Sequence, residues 1–332
     1  MSDAQAAAAR PLERFVELGY VTNDLAQALR VFRTSYGIEG WMETGVASIE
    51  LGGGRTASLK IAVAYVGHLL LEVQEPVAGE VDWYRSVLPP GGSFATRLHH
   101  LAFAADSPER LERVRQYLVG NGHSIPYEGA FGATSRYFFA DARDTLGQYL
   151  EYIHFGPEFD GVIPQNEGDP RDGRTQRLCN MAQVSYVTND YHRAKTVMAA
   201  RFGVDRWLET GRVQVDLGNG EVGQLQVCQT YLDRIQFEII APEGDRLKVH
   251  GDCLRGEEDF VMRFHHIGFA APTRAHLERS RSLTQASGET IPIQGEFGET
   301  SAFFYVDARP TLGHYLEYLY VEPEFDARIP RL

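Results

Sequence analysis

Cysteine is scarce in this chain: Cys179, Cys228 and Cys253 are the only three among 332 residues. An odd number, all in the second half and with no Cys-x-x-Cys pair, supports neither a disulfide framework nor a thiolate metal site, so a reducing cytoplasm is the expected compartment. Long apolar runs are missing too, since no stretch approaches the ~18 residues of a membrane-spanning helix. The opening ten residues, Met1 to Arg10, lack the basic start and apolar centre of a secretory signal. Positive charge is in deficit, with 32 Lys and Arg against 45 Asp and Glu and a net charge of −13. Polyphosphate binding draws on clustered cations, so nucleic acid is disfavoured as a partner. What remains is ordinary soluble composition, 43% hydrophobic and 23% charged, at a length suited to two domains.

Shifted by 166 residues, the sequence meets itself. Tyr20-Val21-Thr22-Asn23-Asp24 falls on Tyr186-Val187-Thr188-Asn189-Asp190, His99-His100 on His265-His266, and Asp141 to Tyr152 on Asp307 to Tyr318. Residues 15–164 lie on 181–330 without a gap, and about 56 of the 150 pairs are identical. A duplication of this kind fixes the organisation before any element is assigned. The join lies in the Gly-, Pro-, Asp- and Asn-containing stretch that begins at Gly156-Pro157. The expected division is an N-terminal tail (1–14), a first domain (15–160), a linker (161–178) and a second domain (179–332).

Each half contains a shorter recurrence. Phe15–Thr22 alternates as a strand, Asp24 caps a helix with apolar residues at helical spacing, and Gly37 ends it. Strand-like runs follow at Gly40–Thr44, Ala57–Tyr65 and Leu69–Val73, with a hairpin signal at Leu51-Gly52-Gly53-Gly54. The order restarts at Leu98–Ala104, continues through a helix from Ser107 to Leu118, and ends in strands near Ser135–Ala140 and Tyr149–His154. The unit is βαβββ, and the chain holds four.

Polar residues interrupt these strands at places where period-2 geometry expects core. Glu17, Glu72, His100 and Glu151 do so in the first half, and Gln183, Glu238, His266 and Glu317 in the second. Ionised groups inside apolar strands are costly to bury unless they are paired or hold a metal, so four such positions per half predict a converging cluster. One imidazole with oxygen donors and no thiolate suits Zn, Ni, Co or Mn, and iron less well.

Paired βαβββ units with ligands on their first and last strands resemble the vicinal oxygen chelate superfamily, which includes glyoxalase I, methylmalonyl-CoA epimerase, extradiol dioxygenases and the bleomycin and fosfomycin resistance proteins. Arg97-Leu98-His99-His100-Leu101-Ala102-Phe103 is similar to the family's His-His-Ile-Gly-Phe strand, whose second His is a ligand, and Leu146 to Glu151 resembles the closing strand that carries the ligand Glu. The resemblance is nearest the glyoxalase I and epimerase-like branch. It implies an α+β fold of two tandem domains, each with a concave mixed sheet made from two βαβββ units. It also implies two divalent-metal sites, Glu17, Glu72, His100 and Glu151 in one and Gln183, Glu238, His266 and Glu317 in the other, with Glu317 and Glu238, and by analogy Glu151 and Glu72, as catalytic bases.

The function expected on this footing is a metal-dependent isomerase, epimerase or lyase acting through a metal-stabilised enediolate on an oxygenated small molecule. Two alternatives stay open: an extradiol-type ring-cleaving dioxygenase, and a non-catalytic small-molecule-binding protein of the resistance type. Counting on along the fourth strand, His68 in the first half and Arg234 and Gln236 in the second are expected to face the substrate, Arg234 as the holder of a carboxylate or phosphate. Tyr149 and Tyr315 share the Glu face and are further candidates for the pocket wall. Strict alternation turns His99 and His265 away from the ligand His, as structural or surface residues, and gives Arg143 and Arg309 a turn salt bridge. The expected partners are a small-molecule substrate and, as an open assembly, a homodimer, with no membrane.

Overall fold

The computed structural model describes residues 11–132, 134–157, 161–166, 178, 180–216, 222–244, 247–254, 256, 259–297 and 299–332. Most of the expected tail and linker, Cys179 and the repeated motif at Glu158-Phe159-Asp160 lie outside the described residues. The chain divides into two compact units.

The first unit contains β1 (Phe15–Thr22), β2 (Met42–Glu50), β3 (Thr56–Val66), β4 (Leu69–Gly79), β5 (Thr96–Ala104), β6 (Tyr127–Phe131), β7 (Ser135–Ala142), β8 (Gln148–His154) and the short β9 (Gln165–Asn166). Its sheet runs β2-β3-β4-β1-β5-β8-β7-β6, with β9 beside β3. The second unit repeats the pattern with β10 (Met181–Thr188), β11 (Leu208–Asp216), β12 (Val222–Leu232), β13 (Ile235–Glu243), β14 (Met262–Ala270), β15 (Gln294–Phe297), β16 (Ser301–Asp307) and β17 (Tyr315–Val321), in the order β11-β12-β13-β10-β14-β17-β16-β15. Each is a mixed sheet: β1 pairs parallel with β4 and antiparallel with β5, which pairs parallel with β8. Each sheet curls into a nearly closed barrel with few helices, the α+β tandem arrangement expected from the repeat.

The helix after β1 spans Leu25–Tyr36, and its counterpart spans Tyr191–Phe202. Asp24 accepts a hydrogen bond from the Gln27 amide and Asp190 from that of Arg193, both at 2.9 Å, which satisfies donors a helix start leaves open. Both helices end at a glycine in the left-handed region, Gly37 at φ 70° and Gly203 at φ 72°. The buried stripe Leu25, Ala28, Leu29, Phe32 and Tyr36 lies on the outer face of the sheet. Helices Pro108–Gly120 and Arg274–Ala286, capped by Ser107 and Thr273, occupy the equivalent places in the second βαβββ unit of each half.

Three elements differ from the sequence expectation. β4 continues to Gly79, past the predicted end at Val73. β2 continues to Glu50, past the predicted end at Thr44, because it pairs with β3 as far as Thr56. Tyr127–Phe131 is a further strand between the helix and Ser135; it is the outermost strand and pairs with β7. The Gly52-Gly53-Gly54 turn is as expected, with all three residues at positive φ. The sheet interior is apolar: Ile61, Val63, Leu70, Tyr137, Phe139 and Ile153 form one cluster in the first unit, and Leu225, Val227, Ile240, Phe303 and Tyr305 its equivalent in the second. Among the described residues no helix is long and apolar enough to cross a membrane.

Replacing a capping aspartate leaves an amide unsatisfied, so Asp24→Ala and Asp190→Ala should each cost about 1 kcal/mol, seen as a fall of roughly 2–4 °C in the melting transition of the affected unit by calorimetry.

Candidate metal centres

The four neighbouring strands β4-β1-β5-β8 each deliver one polar side chain to the concave face of the first unit. Glu72, Glu17, His100 and Glu151 place ligand atoms within 4.8 Å of one another. His100 Nε2 lies 3.1 Å from Glu151, 3.4 Å from Glu17 and 3.6 Å from Glu72. In the second unit β13, β10, β14 and β17 bring Glu238, Gln183, His266 and Glu317 together. His266 Nε2 stands 3.2 Å from Gln183 Oε1, 3.2 Å from Glu317 and 3.7 Å from Glu238. Donors bonded to one divalent ion at ~2.1 Å are spaced by about 3 Å at right angles, so both sets have the chemistry and the spacing to hold such an ion.

Burial sets the electrostatics. His100 and His266 are fully buried, as are Glu17 and Gln183. Burial pushes Glu17 up, and it pushes Glu72 well up with help from the charges of Glu17 and Glu151. Burial opposes a charge on His100, but hydrogen bonds that its ring donates to Glu151 and Glu17 overcome it and hold the imidazole up at about 10. The second unit has one carboxylate fewer. Burial lowers His266 to about 4, and it raises Glu317 to about 8 and, together with the Glu317 charge, Glu238 to about 7. The surroundings thus favour protons within each cluster, on the imidazole in one and on the carboxyl groups in the other.

Neighbouring residues that the sequence did not single out position these groups. Gly19 faces His100 across the β1–β5 pairing, and a Cβ there would lie 1.9 Å from His100 Cε1, so only glycine leaves room for the ring. The equivalent residue in the second unit is Ser185, whose hydroxyl donates to Glu238 at 2.8 Å, and Gln229 donates to the other oxygen at 2.9 Å. Gly268 gives similar clearance to Gln183. His99 and His265 do not point away from their neighbours. The register slips by one residue between β1 and β5 and between β10 and β14. A bulge of this kind breaks the alternation and sets two consecutive side chains side by side: His99 Nδ1 lies 3.0 Å from His100 Nδ1, and His265 Nδ1 lies 2.8 Å from His266 Nδ1.

The expected substrate contacts fare differently. His68 and Arg234 are exposed and occupy the two-residue turns between Val66 and Leu69 and between Leu232 and Ile235, so counting by twos ran past the end of the strand. Gln236 is buried, and its Oε1 accepts from Gln183 Nε2 at 2.5 Å, which turns the Gln183 oxygen towards His266. Tyr149 and Tyr315 are buried behind the clusters, against His99 and His265, and neither lines the cavity over its own cluster. Arg143 and Arg309 make the expected turn pairs with Asp141 and Asp307 at 2.6 Å, and each also covers the ring of Tyr149 or Tyr315.

A cavity opens over each cluster. That of the first unit, about 520 Å³, reaches Glu17, Glu72 and Glu151 between apolar walls that include Met42, Ile61, Tyr137 and Phe139. The second, about 580 Å³, reaches Gln183, Glu238 and Glu317 and carries Arg212, Gln214, Gln229 and Glu296 beside Phe297 and Phe303.

No family profile and no curated protein matches the sequence. Solved structures do match. A Mn(II)-bound glyoxalase from Novosphingobium aromaticivorans superposes with a TM-score of 0.50 at 14% identity, over 93% of this chain and 82% of that one. A triple mutant of 4-hydroxymandelate synthase from Streptomyces coelicolor gives 0.52 at 11%, over 93% of each chain. A variant of homoprotocatechuate 2,3-dioxygenase from B. fuscum gives 0.50 at 13%, over 96% and 75%. At these identities the likeness is one of fold: the chain has the tandem fold of the vicinal oxygen chelate superfamily.

Two outcomes follow from the geometry. Gly19→Ala should displace His100 and abolish divalent-ion binding in the first unit while the second keeps its own, halving the metal content measured by mass spectrometry. The second concerns pH. Glu238 and Glu317 are raised above the ordinary carboxylate value of about 4.3, so their contribution to folding is complete below that pH and is lost as pH climbs through 7 and 8. An ion must displace the same protons. Affinity for Mn(II) or Zn(II) at this centre should therefore rise from pH 6 to about pH 8 and then level off, with proton release in calorimetric titration.

Proposed function

We propose that the chain is a divalent-metal-dependent enzyme whose second unit catalyses an isomerase-, epimerase- or lyase-type reaction, in which a proton leaves the carbon beside a substrate carbonyl and an enediolate-type intermediate forms. The donor set supports this most directly. Gln183, Glu238, His266 and Glu317 would hold the ion with two formal negative charges, so a neutral centre tolerates an anionic substrate oxygen better than the three carboxylates of the first unit do. Once bound, the ion supplies positive charge that polarises a substrate oxygen and acidifies the adjacent C–H.

The protein's own groups divide the remaining work. Gln236 orients the Gln183 amide, and Ser185 and Gln229 tether Glu238. Glu317, whose basicity burial alone raises, takes the proton. Arg212 lines the second cavity, paired with Glu243 at 2.8 Å, and would exchange that partner for a substrate carboxylate or phosphate, the task expected of Arg234.

The apolar, aromatic walls over the first cluster favour a second reading for that unit, extradiol-type cleavage of a ring-bearing diol with iron. It lacks the second imidazole that such an iron site uses.

Metal content of the purified protein and of Glu317→Gln and Glu151→Gln variants is the test. Each variant should lose one ion per chain, and Glu317→Gln should lower turnover at least ~100-fold and stop exchange of the substrate's α-proton with solvent deuterium. Undiminished metal in both variants sinks the assignment. Oxygen uptake with a catechol and Fe(II) would move the first unit to the second reading, and chelator-insensitive ligand binding without turnover would make the chain a sequestering protein.

A further inference from the structure

The bulge that places His265 beside His266 decides more than packing. His265 Nε2 lies 2.9 Å from the Val249 carbonyl. A carbonyl accepts only, so this nitrogen carries the proton. His265 is buried, and among the described residues it makes no ion pair or hydrogen bond with an acidic side chain, its ring nitrogens meeting only the Val249 carbonyl and His266. Nothing there stabilises a cationic ring, so His265 is neutral and its Nδ1 is bare. His266 Nδ1, 2.8 Å away, must then be the donor. In a neutral His266 the remaining nitrogen, Nε2, bears a lone pair, and it is this atom that faces Gln183, Glu238 and Glu317.

We propose that His265 is a positioning residue that fixes the tautomer of His266: anchored by the Val249 carbonyl, it accepts the Nδ1 proton and leaves the Nε2 lone pair directed at the cluster for a divalent ion. This rests on the metal-dependent reading above. A further geometric fact supports it. With Nε2 bare, His266 Nε2 and Gln183 Oε1 oppose lone pairs at 3.2 Å, an arrangement that a shared cation relieves. His250 stacks on the outer side of His265, with ring centroids 4.8 Å apart and planes within 18°, and so keeps the ring in its plane. In the first unit His99 repeats the contact to His100, and the backbone of Trp83, the counterpart of Val249, acts on it, but His99 Nε2 falls outside hydrogen-bond geometry. The anchored form belongs to the second unit.

The test uses full-length protein in which Glu151→Gln silences the first centre. His265→Leu keeps the bulk and removes the acceptor, whereas His265→Asn returns an oxygen close to the Nδ1 position. Mn(II) titration should show affinity reduced ten- to a hundredfold in His265→Leu and held within about threefold of the parent in His265→Asn. In metal-free, 15N-histidine-labelled protein, long-range proton–nitrogen correlation should show His266 protonated at Nδ1 and bare at Nε2. Leucine and asparagine variants that bind Mn(II) equally, whether well or badly, overturn the proposal, as does a His266 ring protonated at Nε2. A parent that binds no Mn(II) refutes the metal reading instead, and the nitrogen spectrum then decides the tautomer on its own.

Discussion

Everything at the centre of each unit answers to one electrostatic constraint: acidic groups and an imidazole removed from water inside an apolar sheet need a positive charge among them. Taking a carboxylate out of water costs several kcal/mol even after relaxation, and neighbouring carboxylates add repulsion. The first unit meets the constraint with three carboxylates around an imidazole held up at about 10. The second meets it with an amide, an imidazole that burial lowers to about 4, and two carboxyl groups that burial raises to about 7 and 8, towards their neutral forms. A divalent ion satisfies either cluster without a proton. The surrounding residues make sense as responses to the same demand: Gly19 clears space for a ring, and Ser185, Gln229 and Gln236 hold oxygens in place.

Much of this was legible before any coordinates. The 166-residue shift aligned Glu17 with Gln183, Glu72 with Glu238, His100 with His266 and Glu151 with Glu317, and period-2 counting from Val16, Leu71 and Leu150 put each on one face of its strand. Both are properties of regular pairing, and they held wherever pairing was regular. They failed where it stopped. His99 and His265 sit at register slips, which break the alternation at those residues. His68 and Arg234 lie in turns, where there is no parity to count. Gln236 did lie on the expected face, but whether it meets a substrate or another side chain depends on the β10–β13 register, which puts it directly beside Gln183. Gly19 carried a signal only in retrospect: a glycine amid apolar strand residues, opposite a histidine.

The duplication also shows how one scaffold supports two environments. Val46 and Val63 of the first unit correspond to Arg212 and Gln229 of the second, and Gly19 to Ser185. These exchanges keep the ligand positions and alter what a substrate would meet, since the second cavity carries Arg212 and Gln229 whereas the lining of the first is more apolar.

The order β4-β1-β5-β8 has a mechanical meaning as well. β1 and β4 come from the first βαβββ module of a unit, and β5 and β8 from the second, so the β1–β5 ladder is the seam along which the two modules join. Glu17 and Glu72 stand on one side of that seam, His100 and Glu151 on the other. An ion bound by all four would act as a clasp across it, tying chain segments more than a hundred residues apart and resisting the peeling of one module from its twin. Cation occupancy and the integrity of the barrel would then be a single equilibrium, with the ion holding the vessel closed around its own site.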